Sequence, residues 1–144
     1  MPRLSLTVFI AGCSLACSVP ACRRAERFEA VAGTVIFADG QPVSGGVVEF
    51  DPLDPAGRPA RGAIGPTGAF ALKSGATTGA RPGRYRVAVV HVLIDSGAGH
   101  RHGHRRVHPR FSRFDTSNIA VEVLADATNA PQIVVESLES ASGR

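Results

Sequence analysis

From Val31 onward, apolar and polar positions alternate with a period of two and are interrupted by turn residues, the signature of strands whose side chains point to opposite faces. The first run, Val31 to Ala38, ends at Asp39-Gly40-Gln41-Pro42, where Asp-Gly supplies the positive φ of a hairpin turn. A second strand, Gly46 to Phe50, is predicted to return beside it and stop at Asp51-Pro52. Pro52, Pro55, Gly57 and Pro59 then mark a loop, because proline cannot donate to a ladder. Arg61 to Ile64 and Ala69 to Lys73 read as a second, weaker hairpin around Gly65-Pro66-Thr67-Gly68. The clearest strand is Arg84 to Val90, with Tyr85, Val87 and Val89 on one face and Arg84 and Arg86 on the other. Ile119, Val121 and Val123 alternate with Ala120 and Glu122, and Gln132 to Glu136 forms the last strand. About seven short strands at this spacing predict an all-β fold, an antiparallel seven-stranded β-sandwich of the prealbumin-like or Ig-like kind.

Composition agrees with that reading. The 144 residues are 44% hydrophobic, enough for one domain with a small core, and 16 Gly and 10 Pro with no Trp favour short elements joined by turns. The formal charge of +4 is local: Arg101, Arg105, Arg106, Arg110 and Arg113 lie between Asp95 and Asp115 with no acidic residue among them. The rest of the chain is slightly acidic. A nucleic-acid partner is therefore not expected, since such binders carry a basic face interleaved with aromatic or groove-reading residues.

The N-terminus reads MPRLSLTVFIAGCSLACSVPAC. A positive start with Arg3 precedes an apolar run from Leu4 to Ala11, far below the ~20 residues that span a bilayer, so this is a signal peptide and not a membrane helix. Ile10-Ala11-Gly12-Cys13 resembles the lipobox of bacterial lipoproteins. Small residues there fit a signal peptidase, and the Cys13 thiol is the nucleophile that accepts diacylglycerol. Two or three acyl chains, each CH₂ contributing ~0.8 kcal/mol, would tether the protein stably without inserting it. The expected organisation is a signal peptide (1–12), a lipid-anchored tether (13–30), the sandwich (31–138) and a C-terminal tail (139–144). Cys17 and Cys22 fall in the tether, where they either close a small loop or stay unpaired.

Gly33-x-Val35, Asp39-Gly40-Gln41-Pro42-Val43, Gly45-Gly46-x-Val48-x-Phe50-x-Pro52, Gly68-x-Phe70-x-Leu72 and Gly83-x-Tyr85-x-Val87 together carry a family resemblance. Over roughly residues 31 to 138 the chain resembles the carboxypeptidase regulatory-like, transthyretin-like domain lipoproteins of planctomycete-type bacteria. The resemblance implies a prealbumin-like sandwich on a lipid anchor in the cell envelope, at the outer membrane, periplasmic or surface face, without a defined reaction. The matched glycines and aromatics are turn and core positions. Two departures stand out: Gly65-Pro66-Thr67-Gly68 replaces a turn that more usually carries an acidic residue, and the segment from about Asp95 to His108 looks like an insertion between strands.

Catalytic residues are not expected. The chain has no G-x-S-x-G elbow, P-loop, H-E-x-x-H or paired-cysteine zinc pattern. The transthyretin-like hydroxyisourate hydrolases end in Tyr-Arg-Gly-Ser, whereas this chain ends Ser140-Ala141-Ser142-Gly143-Arg144 and has its only tyrosine, Tyr85, inside a strand. No cofactor is expected either.

The insertion holds HRHGHRRVH, residues 100–108, with four of the five histidines. In an extended segment His100, His102 and His104 share a face, and with His108 they are the candidate metal ligands. Against a metal, Arg101, Arg105 and Arg106 repel a dication, and no neighbouring cysteine or carboxylate supports the imidazoles. The preferred expectation is a mobile, solvent-exposed cationic loop over about 95–113, its charge rising below about pH 6.5. There Arg101, Arg105, Arg106, Arg110 and Arg113 would form an anion-binding patch suited to lipid headgroups or an anionic envelope polymer. The function this reading favours is a non-enzymatic, lipid-anchored structural or protein-interaction module. The alternative is an envelope metal-binding protein.

Overall fold

The computed structural model describes residues 26–91 and 105–138. Among them the chain forms β1 (Ala32–Phe37), β2 (Val47–Pro52), β3 (Ala60–Ala63), β4 (Ala69–Ala71), β5 (Lys73–Ser74), β6 (Thr77–Thr78), β7 (Gly83–Val90), a 3-10 turn (Pro109–Ser112), β8 (Ile119–Val123) and β9 (Gln132–Val135). A three-stranded sheet in the order β4-β1-β9 packs against a six-stranded sheet in the order β6-β5-β3-β2-β7-β8. The protein is an all-β sandwich, as the alternation predicts. Every strand pair is antiparallel except β1 with β9, which run parallel from Thr34↔Gln132 to Phe37↔Val135.

The predicted hairpins are corrected by sheet membership. After Phe37 the Asp39-Gly40 turn does fold the chain back, with Phe37 N–H donating to Gln41 O (2.8 Å) and Val43 N–H to Val35 O (3.0 Å). The return pairing stops there, because the Val35 N–H is taken by Gly68 O (2.8 Å) and Gly45 and Gly46, at φ of 82° and 105°, swing the chain to the other sheet. So β2 pairs with β3 and β7 and never with β1. The Gly65–Gly68 turn likewise forms, with Gly65 N–H donating to Ala69 O (2.8 Å), but it connects the two sheets. Phe70 lies opposite Gly33 in the small sheet, and three residues later Lys73 pairs with Arg61 in the large one. The single strand expected over Ala69–Lys73 is thus split, which with β6 raises the count from seven to nine.

Tyr85, Val87 and Val89 are buried in the core and Arg84 and Arg86 are exposed, as their alternation predicts. The Phe50 ring sits between Tyr85 (5.8 Å) and Phe70 (6.2 Å), both tilted, so the two sheets interlock through aromatic contacts. Val35, Val48, Leu72, Ile133 and Val135 fill the remaining layer.

The sandwich also takes up residues assigned to the tether. Glu29 forms an antiparallel bridge with Ala80, exchanging hydrogen bonds of 2.8 and 3.0 Å. Around it Arg27 pairs with Asp126 and Glu29, and Glu26 with Arg58 and Arg81. Residues 26–30 are a strap on the domain.

Candidate functional site

The described end of the histidine-arginine segment is built into the fold, which corrects the expectation of an exposed loop running to residue 113. Val107 bridges Ser137, His108 N–H donates to Glu136 O (2.9 Å) and Leu138 N–H to Arg106 O (2.8 Å). Residues 106–108 therefore continue the small sheet beyond β9. Pro109–Ser112 then packs against β7 and carries Phe111, only 3% exposed, into the core. Val107 and Phe111, apolar residues within the basic segment that are both buried, were the available signal.

His108 Nδ1 accepts a 3.2 Å hydrogen bond from Arg110 N–H and so caps the 3-10 turn. Pro109, lacking an N–H, suits the first position of such a turn. Among the described residues no three His, Cys, Asp or Glu side chains come together as a metal site. Cys13, His100, Arg101, His102 and His104 lie outside the described residues, as do Cys17 and Cys22.

Of the predicted arginine patch, three members are held by carboxylates that the sequence reading did not connect to it. Arg110 bonds Glu136 (2.9 Å), Arg113 bonds Asp115 through two hydrogen bonds (3.1 and 3.0 Å), and Arg105 bonds Asp39. The Arg113 hydrogen bond is the main reason the Asp115 carboxyl is held below the usual carboxylate range. Arg106 is exposed and has no carboxylate partner among the described residues.

Arg105 is the most constrained of these cations. Its guanidinium lies over the Phe37 ring at 4.5 Å, and Nη2 donates to Ser137 Oγ at 3.3 Å while Nη1 reaches Asp39. Asp39 uses its other oxygen, Oδ1, to accept from Gln41 N–H (3.2 Å) inside the turn. That amide first, and Arg105 second, lower the Asp39 pKa. A shallow cavity of about 260 Å³ opens beside this cluster, lined by Phe37, Gln41, Pro42, Ser44, Pro66, His91 and Arg105. His91 Nε2 lies 3.2 Å from Ser44 O. The cavity brings together the Phe37 ring of β1, Gln41 and Ser44 of the following turn, and His91 and Arg105 from the two chain ends that flank residues 92–104.

The fold and this cavity define the class as a β-sandwich with a polar recess at one end. Comparison with protein-family models, curated proteins and solved structures gives no match. Among the described residues no helix is long and apolar enough to cross a membrane.

Proposed function

We propose that the chain is a lipid-anchored β-sandwich of the bacterial cell envelope that serves as a structural or protein-interaction module and catalyses no reaction. The observation that carries the reading is Ile10-Ala11-Gly12-Cys13 followed by a short spacer that ends where Glu26 begins the strap. In this reading Cys13 is diacylated and becomes the mature N-terminus, and the dozen or so residues after it hold the sandwich close to the bilayer. The resemblance to the carboxypeptidase regulatory-like, transthyretin-like lipoproteins supports the same role. The aromatic and glycine positions that carry it serve turns and packing, and the polar groups around Arg105 are hydrogen-bonded to one another rather than arranged as a nucleophile and its base.

Mass spectrometry of the mature N-terminus tests the reading. The expected product begins at an acylated Cys13, and Cys13→Ser releases soluble protein or leaves the precursor uncleaved. An unmodified chain that begins beyond Cys13 would overturn it.

A further inference from the structure

We propose that Arg105 is an oxyanion-binding residue whose site is occupied in the unliganded protein by Asp39, and that its ligand is a carboxylate carried on an envelope polymer. The anchored-envelope reading enters only in naming the source of the carboxylate.

Three observations support the site. First, Arg105 is pre-organised: stacking on Phe37 and the hydrogen bond to Ser137 fix the plane of the fork before any ligand arrives. Its side chain is 31% exposed, so it is partly desolvated yet reachable from the cavity. Second, a guanidinium has more donors than Asp39 and Ser137 use, and a planar fork is the group best matched to a carboxylate. Third, Asp39 is displaceable. Its side chain is half exposed, and its Oδ1 keeps the Gln41 amide whether or not Oδ2 reaches Arg105. The turn requires one oxygen, and the arginine takes the other. An incoming carboxylate can replace Oδ2 at Arg105 without leaving Asp39 buried or without a partner. Gln41, Ser44 and His91, which line the same cavity, supply the further hydrogen bonds that a group larger than a bare ion would use.

The position in the fold selects the source. β1 runs from Ala32, beside the strap, to Phe37, beneath Arg105, a span of ~17 Å at ~3.3 Å per residue. A chain anchored ahead of Glu26 therefore enters the sandwich at the end away from the cavity. In an anchored chain this position favours polymers beyond the bilayer over the anchoring headgroups as the source of the carboxylate.

The test titrates the full chain, kept in solution by Cys13→Ser, with acetate, inorganic phosphate and poly-L-glutamate while following the Arg105 side-chain resonance by NMR. Asp39→Asn retains the Oδ1 acceptor of the turn and removes the competing oxygen, so it should bind acetate and poly-L-glutamate at least tenfold more tightly than the parent. Arg105→Lys, which keeps the charge and loses the fork, should abolish the gain in the Asp39→Asn background, with circular dichroism confirming that the sandwich is intact. Equal affinities for parent and Asp39→Asn, or full binding by Arg105→Lys, would overturn the site. Arg105-dependent retention on phosphatidylglycerol vesicles without binding to poly-L-glutamate would overturn the polymer as its source. Loss of Cys13 acylation in the native protein would leave all these affinities unchanged, so the two readings fail separately.

Discussion

The Tyr85 hydroxyl donates a 2.8 Å hydrogen bond to the carbonyl of Arg81, four residues earlier, and thereby pins the corner at which the chain enters β7, the longest strand. The ring is 1% exposed and packs on Phe50, so the residue joins a core contact to a backbone anchor. Burial first of all pushes the phenol pKa up, with Arg81 opposing the shift.

Tyr85→Phe should keep the packing and lose the anchor. The expected cost is about 0.5–1.5 kcal/mol, the net worth of one hydrogen bond. The pH dependence has a definite sign. Because the folded phenol holds its proton more tightly than the unfolded one, its contribution is complete below the unfolded pKa of ~10 and falls as pH rises through and beyond that value. Denaturant midpoints measured between neutral pH and pH 11 should therefore decline more steeply for the parent than for Tyr85→Phe.

Two neighbouring positions on the same strand should respond oppositely to polar change. Val87 is fully buried, so Val87→Asp places an unpaired charge in the core of a domain whose whole stability is only ~5–15 kcal/mol, and circular dichroism should show an unfolded chain at room temperature. Arg86 is exposed and pairs with Asp51 at 2.5 Å, so Arg86→Ala should cost less than ~1 kcal/mol in thermal melts. Similar losses at the two positions would mean that β7 does not present these faces.

That contrast also marks what local pattern can carry. Side-chain alternation has a two-residue period, so β7, β8 and β9 are legible from a few consecutive residues. Which sheet a strand joins is a longer-range matter. It was hidden at β2, where Gly45 and Gly46 redirect the chain, and over Ala69–Lys73, where Phe70 and Leu72 both enter the core although the run divides into β4 on one sheet and β5 on the other. The candidate site was legible only as composition. Spacing shows that Arg105, Arg110 and Arg113 cluster, but Asp39 lies 66 residues from Arg105 and Glu136 lies 26 residues from Arg110, so the pairs that neutralise two of them appear only on folding.

Gly79 holds the strap through its backbone. It has φ of 100°, and a Cβ there would collide with the carbonyl oxygen of Glu29, the residue that bridges Ala80. Gly79→Ala should detach residues 26–30 while leaving the sandwich folded, since the strap's remaining links are mainly exposed ion pairs. Gly75, at φ of 63° with open space around it, is the control and carries only the left-handed cost of ~1–2 kcal/mol. Hydrogen exchange at the Glu29 and Ala80 amides should accelerate at least tenfold in Gly79→Ala relative to Gly75→Ala. Equal exchange in the two would show that the strap does not depend on this close approach.

Phe111 decides whether the arginine-rich segment is part of the sandwich or an appendage to it. A solvated loop would tolerate any substitution there with less than ~0.5 kcal/mol of effect. Buried at 3% exposure in the same cluster as Val89, Val107 and Val135, Phe111 should instead behave as a core residue. Phe111→Ala would remove its ring and leave a cavity, with an expected loss of ~3–5 kcal/mol. The loss should be accompanied by faster exchange of the His108 and Leu138 amides, because their bonds to Glu136 and Arg106 hold the stretch of chain that leads directly into the turn carrying Phe111. Phe111→Leu, which fills most of the volume, should recover the greater part of the stability and of the protection. A small effect of Phe111→Ala, with unchanged exchange at His108, would return residues 105–113 to the exposed loop that their charge suggests.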